Sequence, residues 1–251
     1  MNRPLRPEHR IIPDWPAPER VRAVTTTRQG GVSQGPWTSM NPADHVGDDL
    51  DAVQANRARL EEVLQLPASP LWLQQVHGTR VVDAAGIAGS VEADGAFAGQ
   101  AGVVCAVLTA DCLPVLLCDR NGTRVAAAHA GWRGLAAGVV EQAVAALQVP
   151  GDSALAWLGP AIGAGAYVVG DEVRDAFVSH AAGAQDAFRP AASGGWHADL
   201  YRLARQRLAA CGVSAVHGGG FCTFTDEQSF YSYRRDGVAG RMASLIWLED
   251  E

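Results

Sequence analysis

The chain contains no C-x-x-C pair and no H-x-E element followed by P-C-x-x-C. The first absence excludes a zinc ribbon and a thioredoxin-like redox motif, and the second excludes the zinc nucleobase deaminases. Histidines number seven and no two of them stand two apart, so the His-X-His pairs of oxidases with several coppers are missing. A blue-copper site wants a Cys, two His and a weak axial Met. The methionines, at 1, 40 and 242, lie far in sequence from every motif discussed below. Positive charge is scarce too: the net charge is -7, which leaves no basic patch for a nucleic-acid backbone. No run has the length of a membrane span. The N-terminal MNRPLRPEHRIIPDWP carries charges and prolines without an apolar core, unlike a signal peptide. The expected setting is the cytoplasm, with neither nucleic acid nor membrane as partner.

What is present suits a folded enzyme. Of 251 residues, 48% are hydrophobic and 19% charged, enough for a sizeable core and too apolar for disorder. The cysteines, at 105, 112, 118, 211 and 222, are odd in number and unpaired in spacing. They read as core thiols with one functional member. Three residues stand where apolar runs meet Gly- or Pro-marked turns: His77 in LWLQQVHGTR, Cys112 in LTADCLPV and His129 in AAAHAGWRG. Two imidazoles and a thiolate make a metal site of the open, catalytic kind, with a coordination position to spare. The rival reading is a cysteine hydrolase without metal, with Cys112 as nucleophile and a histidine as base.

Neighbouring residues extend this picture. Asp111 sits inside an apolar run, so its carboxylate must be hydrogen-bonded or reach a cleft; it is a candidate for proton transfer. After His129, Gly131-Trp132-Arg133-Gly134 opens a helix, whose first N–H groups and Arg133 suit an anion such as phosphate. Arg28 and the Arg234-Arg235 pair are further anion candidates, and Tyr231 and Tyr233 supply ring faces near Arg241. His9, His45, His180, His197 and His217 are expected at the surface or in caps, His197 least securely because it neighbours Asp199.

The periodicities predict strands near 21–28, 71–82, 103–119 (two, with a bend at Thr109-Ala110-Asp111), 124–130, 154–169 (two) and 241–249. Helices are predicted over 48–64, 131–147, 171–182 and 197–211, the last with Asp199 near its start and Gly212 past its end. Several connections are too short for helical crossovers. The expected fold is α+β, with mixed β-sheets flanked by helices in a single domain over 1–251, the first twenty residues forming an N-terminal extension.

The blocks TTTRQGGVSQG, MNPADHVGDD, QQVHG, TADCLPVLL, AAHAGWRG, LGPAIG and FYSYRRDGVAGR occur in this order. As a set they resemble the YfiH family, also called the laccase-domain or polyphenol-oxidase family, whose members are described as purine nucleoside phosphorylases with adenosine deaminase activity. The resemblance implies an α+β fold related to a bacterial toxin deamidase domain. It implies zinc on His77, Cys112 and His129, and adenosine, inosine and methylthioadenosine as substrates, with phosphate or water attacking. The older oxidase name implies copper and phenols, and some members are linked to peptidoglycan editing. The first twenty residues and the segment 183–197 match no strong block.

Overall fold

The apolar run after residue 103 is cut by a corner, and its two halves enter different sheets. In the computed structural model, which describes residues 9–87 and 89–250, β5 (Val104–Thr109) joins a four-stranded sheet and β6 (Leu113–Asp119) a six-stranded one. The smaller of these runs β1 (Arg10–Ile11), β2 (Val21–Thr26), β13 (Met242–Leu248), β5, antiparallel throughout. The larger runs β12 (Ala215–Gly218), β8 (Ala154–Leu158), β6, β7 (Val125–Ala130), β4 (Gly95–Ala98), β3 (Val81–Asp83). Its inner pairings are antiparallel and its two edge pairings parallel. A third, small antiparallel sheet joins β10 (Phe188–Pro190), β11 (Trp196–Ala198) and β9 (Val168–Val169).

Side-chain alternation explains the layering. Cys105 and Val107 of β5 and Ile246 and Leu248 of β13 meet Leu116, Cys118, Val125 and Ala127 between the two large sheets. The opposite face of the larger sheet, with Leu113, Val115, Leu117, Ala126 and Ala128, is covered by Leu135, Val139, Val140, Leu203 and Leu208. Those five belong to α2 (Trp132–Ala137), α3 (Val139–Ala146) and α5 (Leu200–Ala210). The outer face of the smaller sheet, with Val24, Ala106, Leu108 and Leu245, packs under Leu64 at the end of α1 (Leu50–Leu64) and under Trp72. Central strands are therefore covered on both faces, which is why they read as unbroken apolar runs. Each fully buried Leu or Val contributes about 1.5–3 kcal/mol. The result is the expected single-domain α+β fold of mixed sheets and helices.

Several sequence expectations change in detail. The helix predicted over 131–147 is two helices, because Gly138 adopts φ +106° between them. The strand predicted over 71–82 survives as isolated bridges at Leu71 and Gln74 and as short β3. Helix α4 (Asp171–Val178) ends before 182, whereas α5 starts just after Asp199, whose carboxylate caps it by accepting from Arg202 N–H. Strands β4, β10, β11 and β12 carried too little apolar alternation to be found, and β10 and β11 fill the segment without a family block. The proposed extension enters the fold from His9 onward: β1 pairs with β2, Trp15 packs on the inter-sheet core, and His9 is buried rather than exposed. Residues 1–8 lie outside the described part. No helix among the described residues is long and apolar enough to cross a membrane.

Candidate active site

Three strand ends place the candidate ligands. Cys112 is in the corner that carries the chain from β5 to β6, with Asp111 before it at φ +83°. His129 lies near the end of β7, opposite Pro114. His77 stands on the irregular segment before β3 with φ +60°. One donor atom from each of His77, Cys112 and His129 lies within 4.8 Å of the others, and among the described residues no other group of His, Cys, Asp or Glu does this. The Cys112 Sγ to His77 Nε2 distance is 3.7 Å. Donors on a tetrahedral zinc at the usual bond lengths stand roughly 3.3–3.6 Å apart, so the donor types suit such an ion and the side chains would draw slightly closer around it.

A residue that the sequence reading missed organises the ligands. Asp94, fully buried just before β4, accepts from the N–H groups of Val76 (3.2 Å), His77 (2.9 Å) and Gly78 (2.6 Å). The left-handed backbone at His77 lets consecutive N–H groups face one anion, as in a backbone nest. The same carboxylate lies 2.8 Å from His129 Nδ1. It therefore holds the proton on Nδ1 and turns Nε2 toward Cys112, the usual partnership behind a metal-bound histidine. Burial alone would raise the Asp94 carboxyl, but the His129 hydrogen bond and the backbone donors outweigh it and hold the group below its ordinary value.

The thiols differ sharply. Burial pushes Cys118 up to about 12. Burial also acts upward on Cys112, yet His129 and His77, through charge and hydrogen bonds, bring it down to about 6. In return, burial depresses His129, while the Cys112 charge and the Asp94 hydrogen bond raise it to about 9. Without metal the two form a coupled thiolate–imidazolium pair, and a metal would displace only the proton on His129 Nε2.

Glycines make room for this geometry. A Cβ on Gly131 would stand 2.6 Å from His77 Cδ2 and 3.0 Å from Cys112 Sγ, inside the site itself. A Cβ on Gly134 would meet the Gly78 carbonyl at 2.8 Å. The G-W-R-G spacing thus lets α2 pass directly under the His77 loop.

The remaining sequence candidates separate into two groups. Asp111 is hydrogen-bonded, as a buried carboxylate must be: Oδ1 accepts from Thr223 Oγ1 at 2.6 Å and Oδ2 from Arg234 N–H at 2.7 Å. It ties the C-terminal loop to the Cys112 corner. Arg234 donates to the Val168 carbonyl and covers the Tyr167 ring at 5.1 Å, while Arg133 is exposed and stacks on Trp132 at 4.4 Å. Arg235, by contrast, spends its guanidinium on the carbonyls of Thr223, Phe224 and Phe230 and on Asp236. Arg28 donates to the Thr38 and Glu227 carbonyls. Arg28 and Arg235 line a surface cavity of about 560 Å³ that none of the three ligands touches. A second cavity, of about 850 Å³, reaches Gln75 and Val76 but likewise none of the ligands. His197 is partly buried, with Nδ1 3.1 Å from the Ala164 carbonyl. Of the described methionines, Met242 Sδ takes the Tyr231 N–H at 3.2 Å, and Met40 is buried beside Leu60.

Residues 22–249 match the family described as multi-copper polyphenol oxidoreductase laccase. The chain belongs to this family. Its relatives within the YfiH group include a Pseudomonas aeruginosa protein named purine nucleoside phosphorylase, 60% identical over 96% of this chain and 98% of that one. Purine nucleoside phosphorylase YfiH of Escherichia coli is 52% identical over 95% and 98% of the two chains. Among solved structures, a Neisseria meningitidis protein of the DUF152 family superposes with a TM-score of 0.93 at 50% identity, over 96% of this chain and all of that one. These YfiH-family likenesses cover nearly the whole chain and its fold.

Proposed function

We propose that the protein is a zinc-dependent purine nucleoside enzyme of the cytoplasm. It would phosphorolyse adenosine, inosine and methylthioadenosine and deaminate adenosine, with phosphate or water as co-substrate. The observation that carries this reading is the convergence of His77, Cys112 and His129 behind Asp94, in a chain whose relatives at 46–60% identity bear the name purine nucleoside phosphorylase. Two imidazoles and a thiolate suit an open zinc site; a blue-copper centre draws on the same three donors with a weak axial methionine, and the purine nucleoside names of the relatives favour the redox-inert ion. Zinc there would act as a Lewis acid and lower the pKa of a water molecule toward neutrality.

The chain's own residues do the rest. Asp94 keeps the His129 proton on Nδ1, so that Nε2 is the donor. Arg133 and Arg234 have guanidinium nitrogens to spare beside this corner and would hold phosphate for attack on C1′ of the ribose. Asp111 already accepts from Thr223 and Arg234, which favours a positioning role for it over proton transfer. α2 is short, because Gly138 ends it, so Arg133 carries more of the anion argument than the helix dipole does.

The metal-free pair gives one second reading. A thiolate beside an imidazolium is also the resting state of a cysteine hydrolase, which would need no ion. The test is product chromatography after incubating adenosine, inosine and methylthioadenosine with zinc-loaded protein. Adenine and ribose 1-phosphate should appear from adenosine when phosphate is present, and inosine should form without it. All three nucleosides intact would overturn the purine reading, and phenol oxidation dependent on copper and oxygen would put the oxidase in its place.

A further inference from the structure

We infer that Tyr167 is a phosphate-contacting residue, donating its phenol O–H to the anion between Arg133 and Arg234; this rests on the phosphorolysis reading above. Two buried tyrosines on the helix side of the larger sheet make the contrast. The Tyr201 hydroxyl is fully engaged, accepting from Ala161 N–H at 2.9 Å and lying 3.1 Å from the carbonyls of Gly159 and Phe221. Tyr167 is only 8% exposed, yet among the described residues its hydroxyl has no hydrogen-bond partner. The oxygen is not sealed from solvent, and an O–H without a protein partner at a site mouth is open to a ligand.

The surroundings say which ligand. The Tyr167 backbone is pinned, its N–H to Gly163 and its carbonyl to Ala198 N–H at 3.1 and 2.9 Å. Its ring is therefore fixed against the core and covered by the Arg234 guanidinium at 5.1 Å. The Arg234 main chain is held by Asp111, the neighbour of Cys112, so the ring sits beside the candidate metal corner. Burial pushes the phenol above its ordinary range, Cys112 and Asp111 add to this, and Arg234 and Arg133 oppose it. The hydroxyl is thus a neutral donor at neutral pH, within reach of two guanidinium charges. The Arg133 guanidinium has no hydrogen-bond partner among the described residues, and the chain has no lysine. One unpaired guanidinium, a second with nitrogens left over beyond the Val168 carbonyl, and one O–H donor match a charged tetrahedral oxyanion better than a neutral purine.

The experiment compares wild type with Tyr167→Phe, which removes only the hydroxyl and leaves the ring packing intact. Inorganic phosphate is titrated at saturating nucleoside, and separately the thermal midpoint of each protein is followed against inorganic phosphate without nucleoside. The expected result is a rise of about tenfold in the KM for phosphate, the loss of one charge-assisted hydrogen bond, with a fall in kcat of under threefold. The phosphate-dependent gain in thermal midpoint should shrink in parallel. An unchanged phosphate KM, or equal stabilisation of both proteins by phosphate, would overturn the inference. If wild type gains stability from phosphate but turns over no nucleoside, the phosphorylase reading fails, and the thermal comparison alone decides the role of Tyr167.

Discussion

Two buried carboxylates flank the candidate site and do different work. Asp94 gathers donors from consecutive residues of the His77 loop and from the His129 ring, so it fixes where the ligand atoms point. Asp111 gathers donors from Thr223 and from the Arg234 main chain, so it fixes where the C-terminal loop lies over the corner. One holds the candidate metal donors and the other holds the rim of the same corner. The comparison teaches that the two supports rest on separate hydrogen-bond sets and can be broken one at a time.

The largest effect should come from the Asp94 side. Asp94→Asn should weaken zinc binding by about 10- to 100-fold, as loss of a partner behind a ligating histidine does. Stability should fall by about 3–5 kcal/mol, because a buried ion pair loses one member. Metal analysis after dialysis and chemical denaturation would read both. Asp111→Asn should cost about 1–3 kcal/mol, since one of two donors faces an amide N–H₂ instead of an acceptor. It should keep its zinc while the nucleoside KM rises; zinc loss equal to that of Asp94→Asn would erase the distinction. A smaller effect is a pH profile. In metal-stripped protein, alkylation of Cys112 by iodoacetamide should be half-maximal near pH 6. The sign follows from the neighbours: imidazolium favours the thiolate, so reactivity persists above that pH and is lost as pH falls through it. Asp94→Asn, by weakening the charge on His129, should move the profile upward, and Asp111→Asn should move it less. Peptide mapping keeps the signal at Cys112.

How much of this could be read from the sequence differs between the same two regions. His77, Cys112 and His129 stand out because each interrupts an apolar run at a turn, the resemblance joined them into one set, and the structure adds their convergence. Asp111 was legible as a buried carboxylate in need of partners, but its partners, Thr223 and Arg234, lie more than a hundred residues away and no local pattern encodes them. Asp94 was invisible: E-A-D-G looks like an ordinary loop, and its importance comes from three main-chain N–H groups that depend on the left-handed turn at His77. The strands β5 and β6 were found as two halves of one run, whereas their placement in different sheets follows from long-range pairing with β13 and β7. The break at Gly138 was missed because the apolar periodicity continues across it, and only the backbone angle reveals the end of α2.

The most direct test of the account is a titration of metal-stripped wild-type protein with zinc and, in parallel, with copper, scoring nucleoside products and phenol oxidation in each sample. The account predicts that the stripped protein is inactive on adenosine and that zinc restores turnover in proportion up to one ion per chain, with copper failing to replace it. Full nucleoside turnover by the stripped protein, or restoration by copper alone with phenol oxidation, would contradict it.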